Sequence, residues 1–237
     1  TLALSEPVEP LVYWIENTTP IALRDLIKEG VESWSLAFES AGFKNAVQVK
    51  VQPDTALWDA GDLRYNVLRW TSSPNPPFGG YGPSFVNPRT GQILGADIML
   101  EWIYITKRIQ QGELFEHTSL FLDEENPMDE HYCSASALMQ SNNLFAHSAV
   151  DAMELSQASK ETLIRESLRR LVLHEVGHTL GLNHNFKGSN LLTYEEILNK
   201  DTTYEKGLCS SVMEYPSINF SLEAENQGLY YDTIPGP

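Results

Sequence analysis

Positive charge is scarce in this chain of 237 residues: Lys and Arg number 16 against 32 Asp and Glu, a formal net charge of −16. That balance removes any non-specific attraction to nucleic acid or to anionic membrane surfaces, so neither is expected as a partner. It suits plain solubility or a basic patch on a substrate. Long apolar runs are missing too. No stretch approaches the roughly 18 residues that a spanning helix needs, so no membrane insertion is expected. The segment from Thr1 to Pro7 lacks the basic start and apolar core of an export signal. Cysteine occurs only at Cys133 and Cys209. There is no internal repeat and no low-complexity segment. The length is enough to bury a substantial core, as one domain of two lobes or as two domains.

What is present reads first as alternating strand and helix. Residues 11–15 are a short apolar, β-prone run. Residues 20–41 carry a helical pattern through Leu23, Leu26, Ile27, Trp34 and Phe38, stopped by Gly42. Residues 46–51 alternate as a half-buried strand should, and residues 66–71 read as another strand. Strand, helix, strand, strand implies an α/β lobe with a mainly parallel sheet. Residues 73–80 are a loop by composition, and residues 84–86 and 92–94 flank a hairpin turn at 87–91. Residues 112–156 show little regular patterning and include Asp123, Glu124, Glu125, Asp129 and Glu130. These carboxylates lack the order of a Ca²⁺ ligand loop, so a solvated acidic loop is the better reading. His117, His131 and His147 read as ordinary surface or hydrogen-bonded histidines. From about Lys160 to Leu180 the pattern is helical again, and its last turns are apolar nearly all round, which predicts burial. Thr193 and Glu196 then form a capping-box start for a short helix.

The chemistry is concentrated at the end of that buried helix, in His174-Glu175-Val176-Gly177-His178-Thr179-Leu180-Gly181-Leu182-Asn183-His184. Residues four apart share a helix face, so His174 and His178 present two imidazoles to one ion. Glu175 sits beside them, where its carboxylate can reach a metal-bound water as general base. Gly181 can take positive φ, ending the helix and returning His184 as a third ligand. Three protein ligands leave one position for water, which marks a catalytic rather than a structural Zn²⁺ site. Three histidines also leave no share for cysteine ligation.

A methionine and a tyrosine follow about thirty residues on, in Cys209-Ser210-Ser211-Val212-Met213-Glu214-Tyr215. With the histidine motif they resemble the metzincin clan of zinc endopeptidases, in which a tight Met-containing turn lies beneath the metal. The resemblance implies that Met213 is an apolar thioether floor and not a ligand. It implies that Tyr215 binds zinc at rest and then swings to hydrogen-bond the tetrahedral intermediate. Residues 81–98 and His184-Asn185-Phe186 look like the bacterial proteins grouped as a Met-zincin family, a resemblance running from about residue 10 to about 220. Residues 228–237 match no motif, and no function is carried onto them.

The resemblance also implies an α/β (α+β) metzincin-like fold in a single catalytic domain spanning residues 1–237. Its upper lobe, about 10–182, would hold a twisted mixed sheet and two long helices. Its smaller, irregular and helical lower lobe would be about 183–237, with the zinc cleft between. Residues 84–86 would be the antiparallel edge strand above that cleft, where an extended peptide binds as an added strand. Residues 216–220 would wall the pocket beyond the scissile bond. Family members are typically longer, exported proteins, so this chain is expected to be an excised catalytic domain with flanking domains, secreted or in the cell envelope. In that setting Cys133 and Cys209 permit a disulfide, worth roughly 4 to 5 kcal/mol in the chain-entropy model, with two buried thiols as the alternative.

The leading expectation is therefore a zinc-dependent endopeptidase acting on a protein or peptide substrate, with His174, His178 and His184 as ligands and Glu175 and Tyr215 as catalytic groups. A second keeps His174 and His178 but takes the third ligand from Glu195 or Glu196, as in thermolysin-like proteases. A third is a binding module with a vestigial site, against which the intact Glu175 speaks.

Overall fold

The computed structural model describes residues 3–73, 80–101 and 135–234. Its centre is a six-stranded mixed sheet. Strands β1 (Leu11–Ile15), β2 (Val47–Val51), β3 (Asn66–Thr71) and β6 (Ile93–Glu101) run parallel in the order β2-β1-β3-β6. Two short strands, β4 (Gly80–Tyr81) and β5 (Ser84–Val86), lie antiparallel on the far side of β6. Alternation decides which face is inside. Tyr13 and Ile15 of β1, and Ala96, Ile98 and Leu100 of β6, are buried on the helix side. Trp14 points the other way, into an aromatic cluster with Trp58 and Tyr65, whose rings stack at 3.9 Å. The turn at 87–91 closes with Asn87 N–H donating to Gln92 O at 2.8 Å, so the expected hairpin and antiparallel edge strand are both present.

Helices α1 (Ile21–Glu32), α2 (Ser35–Ser40), α3 (Ala135–Ala152), α4 (Gln157–Thr179), α5 (Tyr194–Ile197) and α6 (Lys200–Lys206) complete the described fold, with 3-10 turns at Gly188–Asn190 and Ala224–Asn226. Helix α4 crosses the sheet beside α1 and is the spine of the core: Leu163, Leu168, Leu171, Val172, Leu173 and Val176 are fully buried. Ser156 caps it, its hydroxyl accepting from Ser159 N–H. At the other end of α4, Tyr13 of β1 donates to Thr179 Oγ1 at 2.9 Å, and Thr179 donates onward to Val176 O, pinning the last turn of the helix to the sheet.

The mixed α/β architecture is the metzincin-like one expected, with two differences in the helices. The single helix predicted over 20–41 is broken into α1 and α2, because Trp34 turns inward at the junction, buries its ring and donates from Nε1 to Leu173 O at 3.2 Å. The pattern-poor stretch before α4 contains the 18-residue helix α3. Its inward residues Met139, Ala146 and Val150 are separated by Ser141, Asn142, Asn143 and Ser148, weak helix formers that hide the periodicity. His147 lies on this helix. His117, His131 and the acidic residues 123–130 lie outside the described residues, as does Cys133. Cys209 is a free, buried thiol. No helix among the described residues is long and apolar enough to cross a membrane.

Candidate metal centre and the Met turn beneath it

Helix α4 ends as the glycine predicted. Gly181 has φ +85°, Leu182 N–H donates back to Gly177 O at 3.1 Å, and Gly181 N–H to His178 O at 2.9 Å. This paired closure satisfies the last carbonyls and reverses the chain, which a residue with a Cβ adopts only with strain. The reversal brings His184 back against the helix. His174, His178 and His184 form a group whose ligand atoms lie within 4.8 Å of one another. His174 and His184 stack with ring centroids 5.4 Å apart, while His178 stands edge-on to both.

The ring orientations on α4 are fixed from behind. His174 Nδ1 lies 2.7 Å from Val212 O, and His178 Nδ1 lies 3.0 Å from Leu182 O. A carbonyl only accepts, so both Nδ1 atoms carry the proton and each Nε2 keeps its lone pair for an ion. His178 Nε2 is buried with no hydrogen-bond partner, which is the state of a donor atom shaped for a metal. Burial, joined at His174 by the nearby Arg170 and His178, holds all three imidazoles below their ordinary pKa, most strongly at His174. Neutral imidazole is the form that binds a metal. The residues present therefore fit a zinc ion.

Beneath the imidazoles runs the Met turn. Met213 is buried, and a Cβ added at Gly177 would stand 2.4 Å from its Sδ and 3.2 Å from Trp34 Cζ2. The glycine inside the histidine motif is thus the place where the turn presses on the helix. Gly82, in the link between β4 and β5, makes a second close approach: a Cβ there would lie 2.6 Å from Glu175 O, so this link sits directly against the helix at Glu175. Glu175 itself is wholly buried. The Tyr215 hydroxyl lies 2.7 Å from His184 Nε2, and the His184 and Tyr215 ring centroids are 4.6 Å apart.

With three imidazoles, a methionine floor and a tyrosine assembled, comparison with known proteins is informative. A family model described as Met-zincin matches residues 156–237. Over these residues, about a third of the chain, it is similar to the Met-zincin family. No curated protein and no solved structure matches.

The Met-zincin match runs to Pro237, so it includes the closing segment that carries no recognisable motif. That segment is structural. Leu229, Tyr230, Tyr231 and Asp232 are buried; Glu166 of α4 accepts from Tyr230 and Tyr231 N–H at 2.7 and 3.1 Å; and Tyr231 donates from its hydroxyl to Asn143 of α3 at 2.7 Å. Asp232 accepts from Cys209 N–H and from its thiol, both at 2.9 Å, at the root of the Met turn. Burial and the Asp232 carboxylate push the Cys209 thiol up to about 12, so it is a protonated donor. Arg170, buried one turn before His174, donates to Glu214 O at 2.7 Å. Sequence reading missed Arg170, Glu214 and Asp232. A buried charge leaves no mark in a linear pattern when its partners are dozens of residues away.

The rival ligand set is not assembled. Glu195 is exposed, and Glu196 is committed to the capping box with Thr193 and to Lys206 at 3.3 Å. Among the described residues, the metal-capable group holds neither. In the segment 216–220, Ile218 and Phe220 turn toward the core, Phe220 meeting Phe145 of α3 at 6.3 Å.

Proposed function

We propose that this chain is a zinc-dependent endopeptidase, with the metal held by His174, His178 and His184, Glu175 as general base and Tyr215 as a hydrogen-bond donor to the developing charge. The observation that carries the reading is the convergence of three imidazole nitrogens within 4.8 Å, two of them with the opposite ring nitrogen anchored on a carbonyl. When bound, zinc supplies Lewis acidity, polarising a scissile carbonyl and lowering the pKa of a coordinated water toward about 7.

The chain's own groups divide the remaining work. Glu175, adjacent to the first ligand, accepts at its carboxylate the proton released by the attacking water and returns it to the leaving amine. The Tyr215 hydroxyl, beside the third imidazole, donates to the oxyanion; such donors are worth roughly 3 to 4 kcal/mol where they have been removed. Strand β5 pairs only with β6 among the described residues, so its outer edge offers main-chain groups to an extended peptide.

The test is cleavage of an unstructured protein by the zinc-loaded chain, with bound zinc measured on the same sample and a chelator as control. Stoichiometric zinc with cleavage that chelation stops, and that added zinc restores, supports the proposal. Stoichiometric zinc without cleavage across a peptide library would leave a binding module, and absence of zinc binding would end the reading.

A further inference from the structure

Glu214 has no place in the reaction outlined above, yet it is 4% exposed and joins three separate pieces of the chain. Its Oε1 accepts from Tyr215 N–H at 2.8 Å, and its Oε2 accepts from Ser189 N–H at 3.1 Å. Its main-chain carbonyl accepts from Arg170 on α4 at 2.7 Å. Gly188 leans on its side chain so closely that a Cβ there would stand 3.1 Å from Glu214 Cβ. Burying a carboxylate costs several kcal/mol unless both oxygens find donors, and here both find main-chain N–H groups.

The position of those donors gives the arrangement its meaning. Ser189 lies in the segment that follows His184, and that segment is laced to the Met turn by Asn185 N–H to Met213 O at 3.0 Å and by Ser210 N–H to Gly188 O at 2.9 Å. Tyr215 lies on the turn. The segment that carries the third imidazole and the turn that carries the tyrosine therefore meet at one carboxylate, and their side chains touch at 2.7 Å.

We infer that Glu214 is a positioning residue for the metal centre, fixing His184 and Tyr215 relative to each other by accepting from Ser189 and Tyr215 N–H at once. The inference rests on the zinc reading of His184 proposed above. It assigns Glu214 no contact with substrate or metal. Its role is to hold the backbone on which the third ligand is mounted.

Two variants separate this role from general support of the fold. Glu214→Gln keeps the shape but offers one carbonyl acceptor where two N–H groups wait. Ser189→Pro deletes one of those donors while leaving the Glu214 side chain chemically intact, its ring Cδ turning the carboxylate away; it falls in a 3-10 turn, whose usual φ of about −50 to −70° suits proline. Zinc affinity is measured by chelator competition for the parent and for each variant, alone and combined with His184→Ala. Each single variant is expected to weaken zinc binding about tenfold or more, the range for groups that orient ligands from behind. In the His184→Ala background neither should change affinity by more than about twofold, because the ligand through which the clamp acts is gone. Equal losses in both backgrounds, or no loss in the parent, would overturn the inference. If Glu214→Gln does not fold, the Ser189→Pro pair decides. The zinc cycle needs no catalysis, so a chain that binds zinc and cleaves nothing sinks the peptidase reading alone. His184→Ala with unchanged zinc affinity sinks the third ligand and the clamp together.

Discussion

From Gln157 to Arg169, helix α4 turns with one face in water, burying Leu163, Ser167 and Leu168 and leaving Glu161 and Arg165 outside; from Arg170 to Gly177 every residue is buried. In the outer half, charges pair at the surface, Lys160 with Asp151 and Arg165 with Glu29 at 3.6 Å. Solvent screens such pairs and they hold little in place. In the inner half and the turn that follows it the main chain takes over: Val212 O for the buried His174, Glu214 O for the buried Arg170, and Leu182 O for the half-buried His178. A carbonyl in a packed turn is a fixed point, and three of them hold the face on which the metal is expected. One helix thus shows how burial turns mobile polar side chains into an oriented set.

The sharpest way to separate the halves is Glu175→Gln in the inner one. It is expected to retain zinc and lose peptide hydrolysis by at least about 10²-fold, the lower range for a general base. Turnover by a zinc-loaded Gln variant would remove Glu175 from its role. Gly177→Ala comes next. Helix propensity favours Ala by about 1 kcal/mol, but its Cβ would meet Met213 Sδ at 2.4 Å and Trp34 at 3.2 Å, both buried. Overpacking of this kind costs about 1 to 3 kcal/mol, so denaturant unfolding of the zinc-free protein should show a net loss.

Glu166 lies where the two halves meet, and burial has raised its carboxyl to about 7 against the donation of two backbone N–H groups. Its folded pKa exceeds the unfolded one, so its contribution to stability is complete below about pH 4 and is lost as pH rises to about 7. Glu166→Gln, whose carbonyl still accepts, should match the parent near pH 4 and exceed it increasingly up to pH 7, with a constant gap above. A thermal midpoint difference that does not widen with pH would contradict this. The smallest effect belongs to Arg165→Ala, expected within about 0.5 kcal/mol of the parent by the same unfolding measurement, because its partner Glu29 is as exposed as it is. A larger loss would erase the contrast.

Local physics was readable wherever it matched a period or a cap. Strands β1 and β3 fall on the residues predicted, the capping box at Thr193 is formed as expected, and Gly181 takes the positive φ assigned to it. The histidines could be named because their offsets within one helix turn and its cap fix their geometry. Helix α3 stayed hidden, since Ser141, Asn142, Asn143 and Ser148 dilute a stripe that only packing against α4 reveals. The break at Trp34 stayed hidden because a distant carbonyl, Leu173 O, draws the indole inward.

The order of the residues alone determined that three imidazoles, a carboxylate, a methionine and a tyrosine would be available, and that a glycine would turn the chain to gather them. Only the tertiary structure decided what holds them. Arg170, Glu214, Cys209 and Asp232 are buried polar groups whose partners lie on other elements, up to 44 residues away for Arg170. Helix periodicity and caps act over a few neighbours and can be read in line, whereas the satisfaction of a buried charge depends on which segments the completed core brings into reach.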